Sequence, residues 1–113
     1  MSQLDNSRCL PCEGGVDPLD KTAVDKHLAA LTGVWHVNSD YTKIHREFEF
    51  KNYYHTMAFV NAIAWMTHHE NHHPDLEVHY NRCIVHYQTH AISGLSINDF
   101  ICASKVERIF NCQ

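Results

Sequence analysis

The sequence predicts an α+β fold: a four-stranded antiparallel sheet with helices packed on one face, in the order α-β-β-α-β-β-α. Three observations lead there. Residues 52–71 place Phe59, Val60, Ile63 and Met66 at helical spacing, with Met57, Ala64 and Trp65 widening the stripe. Residues 82–90 alternate instead: Cys83, Val85, Tyr87 and Thr89 suit a covered face, and Ile84, His86, Gln88 and His90 an open one. Helical and strand-like segments do not alternate one for one along the chain, which disfavours a parallel doubly wound sheet.

Residues 1–17 read as a flexible arm, because Glu13-Gly14-Gly15-Val16-Asp17-Pro18 is loop chemistry. Asp17 is suited to cap a helix with Pro18 at its first position. That helix is expected to reach Leu31, bury Leu19, Val24, Leu28 and Leu31, and end at Gly33. Residues 34–38, with Trp35, form a short strand, and Asn38-Ser39-Asp40 turns the chain. Residues 43–50 form the second strand, rich in β-branched and aromatic residues. Its alternation is broken by Arg46, which falls on the face of Ile44, Phe48 and Phe50. The long helix follows, and Pro74 ends it near the histidine cluster by disfavouring helical geometry at His73. Residues 76–80 and 82–90 are the third and fourth strands. Gly94 turns the chain into a last helix over 96–110, with Ile97, Ile101, Val106 and Ile109 as its core side.

A chain of 113 residues fits one domain with one modest core. The balance of 44% hydrophobic and 19% charged residues is that of a folded globular protein rather than a disordered one. No apolar run approaches a membrane span, and the first ten residues lack the basic-then-apolar pattern of a signal peptide. A formal net charge of −4 argues against non-specific nucleic-acid binding, which needs a basic face. The five cysteines are odd in number in a chain without export signals, so free thiols and a cytoplasmic location are expected. Cys9 and Cys12 form one C-x-x-C, without the second pair of a zinc ribbon or the preceding strand of a thioredoxin-like motif.

Histidine is the anomaly. There are 11, against nine Lys and Arg together, and His68, His69, His72 and His73 fall within eight residues. Imidazoles titrate near neutral pH, so such a cluster points to acid–base chemistry, metal binding or pH sensing. His68/His72 and His69/His73 have the i, i+4 spacing that can hold a metal on a helix, but no Glu completes an H-E-x-x-H. A third ligand would have to come from Glu70, His79, His86 or His90. Histidines at a helix C-terminus are also favoured simply by the dipole. Asp99 likewise has a structural reading, because Ser96-Ile97-Asn98-Asp99 matches a capping box.

Taken together, these residues resemble the pterin-4a-carbinolamine dehydratase family. The resemblance rests on His72-His73-Pro74-Asp75, Tyr80-Asn81, Thr89-His90, and Gly94-Leu95-Ser96 with Asp99. Gly33-Val34-Trp35, Phe48-Glu49-Phe50 and the arm Cys9-Leu10-Pro11-Cys12-Glu13-Gly14-Gly15 extend it over nearly the whole chain. Three positions depart from the family pattern: Leu76 replaces a common aromatic, His68 an acidic residue, and Gln88 a small one. The resemblance implies a dehydratase-like domain over 18–113, assembled as a homodimer or homotetramer. It implies dehydration of 4a-hydroxytetrahydropterin to quinonoid dihydropterin, which recycles the cofactor of aromatic amino-acid hydroxylases. It marks His72, His73 and His90 as catalytic, and Asn71, Gln88, Thr89, Ala91 and Asp99 as substrate-binding. No metal or redox cofactor is implied, because the reaction transfers protons only. A non-enzymatic partner of transcription factors on the same fold and a histidine-rich metal-binding module stay open as rival readings.

Overall fold

The computed structural model describes residues 7–9 and 17–112. Its elements are helix α1 (Lys21–Ala30), strands β1 (His36–Val37) and β2 (Ile44–Glu49), helix α2 (Tyr53–Glu70), strands β3 (Asp75–Val78) and β4 (Arg82–Tyr87), a 3-10 turn (His90–Ile92), and helix α3 (Ile97–Asn111). All strand pairs are antiparallel, and the sheet order is β1-β2-β4-β3. The expected class and element order are therefore present.

One face of the sheet is the core. Ile44, Phe48, Cys83, Val85 and Tyr87 point into it from β2 and β4 and are buried. The helices cover them with Val24 from α1, Phe59 and Ile63 from α2, and Phe100, Ala103 and Val106 from α3. Phe48, Phe59 and Phe110 pack as a ring cluster with centroids 4.9–6.0 Å apart, within the range of favourable aromatic pairs.

Several details differ from the sequence reading. Strand β1 keeps only His36–Val37 of the expected 34–38, so Trp35 precedes it, and β3 runs Asp75–Val78 rather than over 76–80. Helix α1 starts three residues later than expected, because Asp20, not Asp17, caps it by accepting from the Ala23 amide. The residues before it are held instead by a hydrogen bond from the Leu19 amide to the Leu95 carbonyl. Gly33 does not end α1, whose C-cap is Leu31. A side chain at Gly33 would collide with the Arg46 guanidinium and the Glu107 carboxylate, so the residue makes room for that pair. On α2 the buried face runs through Thr56, Phe59, Ile63 and Thr67, whereas Trp65 is 68% exposed and Ala64 lies outward. The stripe read around Trp65 was too wide. Strand β4 stops at Tyr87, and His90 opens the 3-10 turn rather than ending the strand.

Arg46 is the polar residue on the core face of β2. Its Nη1 donates to Glu107 Oε2 at 2.9 Å, and its guanidinium lies 4.3 Å from the Phe48 ring centroid. Glu107 also accepts from the Thr32 amide and hydroxyl and from Trp35 Nε1. Four donor contacts thus converge on its two oxygens, three from the loop after α1 and one from β2, which is how a charge becomes tolerable on a covered face.

Candidate active site

The site is built where α2, β4 and α3 end or begin. Helix α2 terminates at Glu70 because Asn71 takes the left-handed conformation (φ 53°) that stops a helix. Pro74 then keeps the chain extended toward β3. His72 and His73 therefore lie in the connection, not on the helix, so the two i, i+4 pairs do not share a helical face. Among the described residues no three His, Cys, Asp or Glu side chains form a group able to hold a metal ion.

On the other side, Thr89 and Gly94 pair as an antiparallel bridge around the 3-10 turn, with Ser93 left-handed (φ 52°). A Cβ on Gly94 would stand 2.6 Å from the Pro18 Cβ, so only glycine lets the N-terminal connection pass here. Leu95 and Ser96 follow, and Ser96 starts α3 with a full capping box: its hydroxyl receives backbone N–H groups, and its own amide donates to Asp99 Oδ2 at 2.9 Å.

Asp99 does more than cap. Its side chain is fully buried, and His72 Nε2 stands 2.7 Å from its Oδ1. The Thr89 hydroxyl donates to its Oδ2 at 2.7 Å, and the Ser96 hydroxyl stands 2.7 Å from the Thr89 hydroxyl. The carboxyl thus receives donors from the α2–β3 connection, from the end of β4 and from its own N-cap. The His72 ring stacks on Tyr87, with centroids 5.6 Å apart and planes 17° apart. Held at edge and face, this imidazole has one orientation. Its Nε2 edge is engaged by Asp99, so Nδ1 is the ring nitrogen that the carboxylate does not occupy.

An open cleft of about 480 Å³ lies in front of this arrangement. His72, His73 and His90 all line it, with Asn71, Gln88, Thr89 and Ala91. Asp99 lies behind that wall and reaches the cleft only through His72 and Thr89. All eight residues singled out in the sequence therefore gather in one place. His73 is exposed and its Nδ1 donates to the Pro74 carbonyl at 3.2 Å, and His90 is exposed on the turn opposite. Of the upstream pair, His69 reaches the cleft, while His68 is an exposed residue of the last turn of α2.

Cys9, His69, Glu70 and Asn98 also line the cleft but were not among the site residues read from the sequence, where His69 and Glu70 were weighed only as metal ligands. Glu70 accepts from the Cys9 amide at 2.8 Å and pairs with Arg8 at 3.2 Å and Lys105 at 3.6 Å. Burial alone would raise its carboxyl, but the Cys9 N–H, Lys105 and Arg8 outweigh it and hold the group below its ordinary value. No local pattern marks a contact across 61 residues. The C-x-x-C of the arm was the available signal, and Cys12 lies outside the described residues.

The comparisons with known proteins agree with this geometry. Residues 17–109 match the family model described as pterin 4 alpha carbinolamine dehydratase, and the chain belongs to that family. A relative from Nitrosomonas europaea assigned by name to the pterin-4-alpha-carbinolamine dehydratases is 56% identical over 95% of this chain and 93% of its own. One from Legionella pneumophila with the same assignment is 51% identical over 96% of each. The crystal structure of a transcriptional coactivator/pterin dehydratase from Brucella melitensis superposes with a TM-score of 0.77 at 29% identity, covering 82% of this chain and 98% of that one.

Proposed function

We propose that the protein dehydrates 4a-hydroxytetrahydropterins to quinonoid dihydropterins by histidine acid–base catalysis, the step that precedes reduction of the pterin back to the cofactor spent by the hydroxylases. The observation that carries this reading is the hydrogen bond of His72 with the buried Asp99 carboxylate, behind a cleft that His73 and His90 also line. The substrate bears a hydroxyl on a carbon beside ring nitrogen. Its loss as water requires one proton delivered to the leaving oxygen and one removed from nitrogen, and each positioned acid or base typically contributes about 10²–10⁴-fold.

His72 is assigned the proton to the leaving oxygen. The Asp99 carboxylate accepts its Nε2–H, stabilises the imidazolium and leaves Nδ1 to carry the transferred proton. His90, across the cleft, serves the other proton or the other face of the carbinol, and His73 orients the ring through its free edge. Thr89, Gln88, Asn71 and Ala91 present polar and backbone groups to the pterin rim. The assembly into homo-oligomers belongs to the same proposal, supported by Tyr54 and Trp65 of α2, which are 81% and 68% exposed.

The test is stopped-flow absorbance of freshly prepared 4a-hydroxytetrahydropterin with and without protein. Dehydration well above the buffer rate is expected. A folded sample that leaves the buffer rate unchanged contradicts the proposal.

A further inference from the structure

Two thiols meet beside the candidate site and have no part in the proton chemistry. Cys9 Sγ lies 3.4 Å from Cys102 Sγ, across 93 residues of chain. Cys102 is buried on α3, one turn beyond Asp99, and its thiol donates to the His72 carbonyl at 3.8 Å. Cys9 is half-buried, lines the cleft, and its thiol reaches the Asn98 carbonyl at 3.7 Å. Its position is fixed by other bonds: its own amide on Glu70, and Arg8 on the Glu70 carboxylate and the His69 carbonyl. The segment is thus already seated before any covalent link is made.

We propose that Cys9 and Cys102 are an oxidisable dithiol whose disulfide fastens the N-terminal segment onto α3 beside the His72–Asp99 pair. A disulfide needs its sulfurs at about 2.0 Å, and at 3.4 Å the two thiols are already in contact. Cys9 is the entry point because it faces the cleft. Cys102 stays protonated, pushed well up first by its hydrogen bond with Cys9 and then by burial, so it is the resolving partner rather than the first to react.

With hydrogen peroxide as oxidant the step balances. The Cys9 sulfur attacks one peroxide oxygen, the O–O bond breaks, and the departing oxygen leaves as water with the thiol proton, giving a sulfenic acid. The Cys102 sulfur then attacks the Cys9 sulfur. The S–O bond breaks, and the oxygen leaves as a second water with the Cys102 proton. Two thiols are oxidised to one disulfide, and one hydroperoxide is reduced.

The other cysteines do not compete from within the fold. Cys83 is buried in the sheet, its thiol pushed up to about 11 by burial and then by the Glu77 charge. Cys112 sits near the far end of α3, ten residues from Cys102, or roughly 15 Å along a helix. Cys12 is the one rival within reach of Cys9 in sequence.

The full chain is treated with stoichiometric hydrogen peroxide, alkylated, digested and mapped by mass spectrometry. The expected product loses two of its five alkylatable thiols, contains a Cys9–Cys102 linked peptide within one chain, and regains both thiols with dithiothreitol. Cys12→Ser forms the same link, and Cys102→Ser leaves Cys9 at the sulfenic acid or beyond. A Cys9–Cys12 link in the native chain, or a reacted Cys9 that never joins Cys102 in Cys12→Ser, overturns the proposal. The Cys12→Ser map decides even if Cys102→Ser does not fold. Turnover is not part of the readout, so the result stands apart from the dehydratase reading.

Discussion

Asp99 performs two tasks with one carboxylate, and the sequence displayed only one of them. The spacing from Ser96 announces the capping box, a local pattern that needs four residues. The contact with His72 crosses 27 residues and depends on where α2 stops, which no local pattern contains. The dipole of α2 meets His68 and His69 in its last turn, whereas the charge facing His72 is the buried Asp99 carboxylate. Asp99→Asn separates the tasks, because an amide oxygen still accepts from the Ser96 amide but the group no longer stabilises a charged imidazole. It is expected to keep most of the stability of the fold and to lose about 10-fold or more in turnover, as a lost acid–base partner does. Urea denaturation beside a steady-state assay checks both; a variant that loses stability but not turnover would reduce Asp99 to a cap.

The elements show where the sequence was legible and where it was not. The two faces of β4 read correctly from alternation, although not its end, because Cys83, Val85 and Tyr87 are buried and Ile84 and His86 are less so. Helix α3 reads less well: its core side includes Phe100, Cys102 and Ala103 as well as Ile101 and Val106, while Ile97 and Ile109 lie at its margin. The buried polar residues Asn98, Asp99 and Glu107 interrupt its apolar stripe, since both ends of this helix serve hydrogen-bond hubs. Arg46 looked like a flaw in β2 and is the partner of Glu107 across 61 residues. Arg46→Met should therefore cost about 3 kcal/mol, since removing one member of a buried pair strands the other charge. Urea unfolding measures it, and a neutral substitution would mean that the Thr32 and Trp35 donors suffice for Glu107. Glu107→Gln with Arg46→Met should recover part of the loss, because the stranded charge is then gone.

At the scale of the whole molecule, the helices cover one face of the sheet and the other carries a row of histidines. His36, His45 and His86 are register partners on β1, β2 and β4, with ring centroids 5.2 and 5.4 Å apart, and His86 Nε2 meets the Glu77 carboxylate. Their alignment depends on strand pairing between distant segments, which no local pattern contains. His45, in the middle, is held below its ordinary value by burial first, and then by His86, His36 and Lys43, against an opposing pull from Glu77. A histidine depressed in the folded state binds its proton more readily when unfolded. Its share of stability is therefore present above pH 6.5 and is lost as pH falls through the folded value. His45→Gln should flatten the fall in Tm below pH 6.5, and an unchanged slope would assign the acid sensitivity elsewhere. The same three-dimensional closure brings the ends of α2, β4 and α3 together, and it makes His72 the pivot of the proposed chemistry. The most direct measurement is the dehydration rate of 4a-hydroxytetrahydropterin with wild-type protein and with His72→Ala, both checked for native circular dichroism. A loss of about 10²–10⁴-fold is expected in the variant, deepened by His90→Ala; full turnover in a folded His72→Ala protein would contradict the proton role proposed for His72.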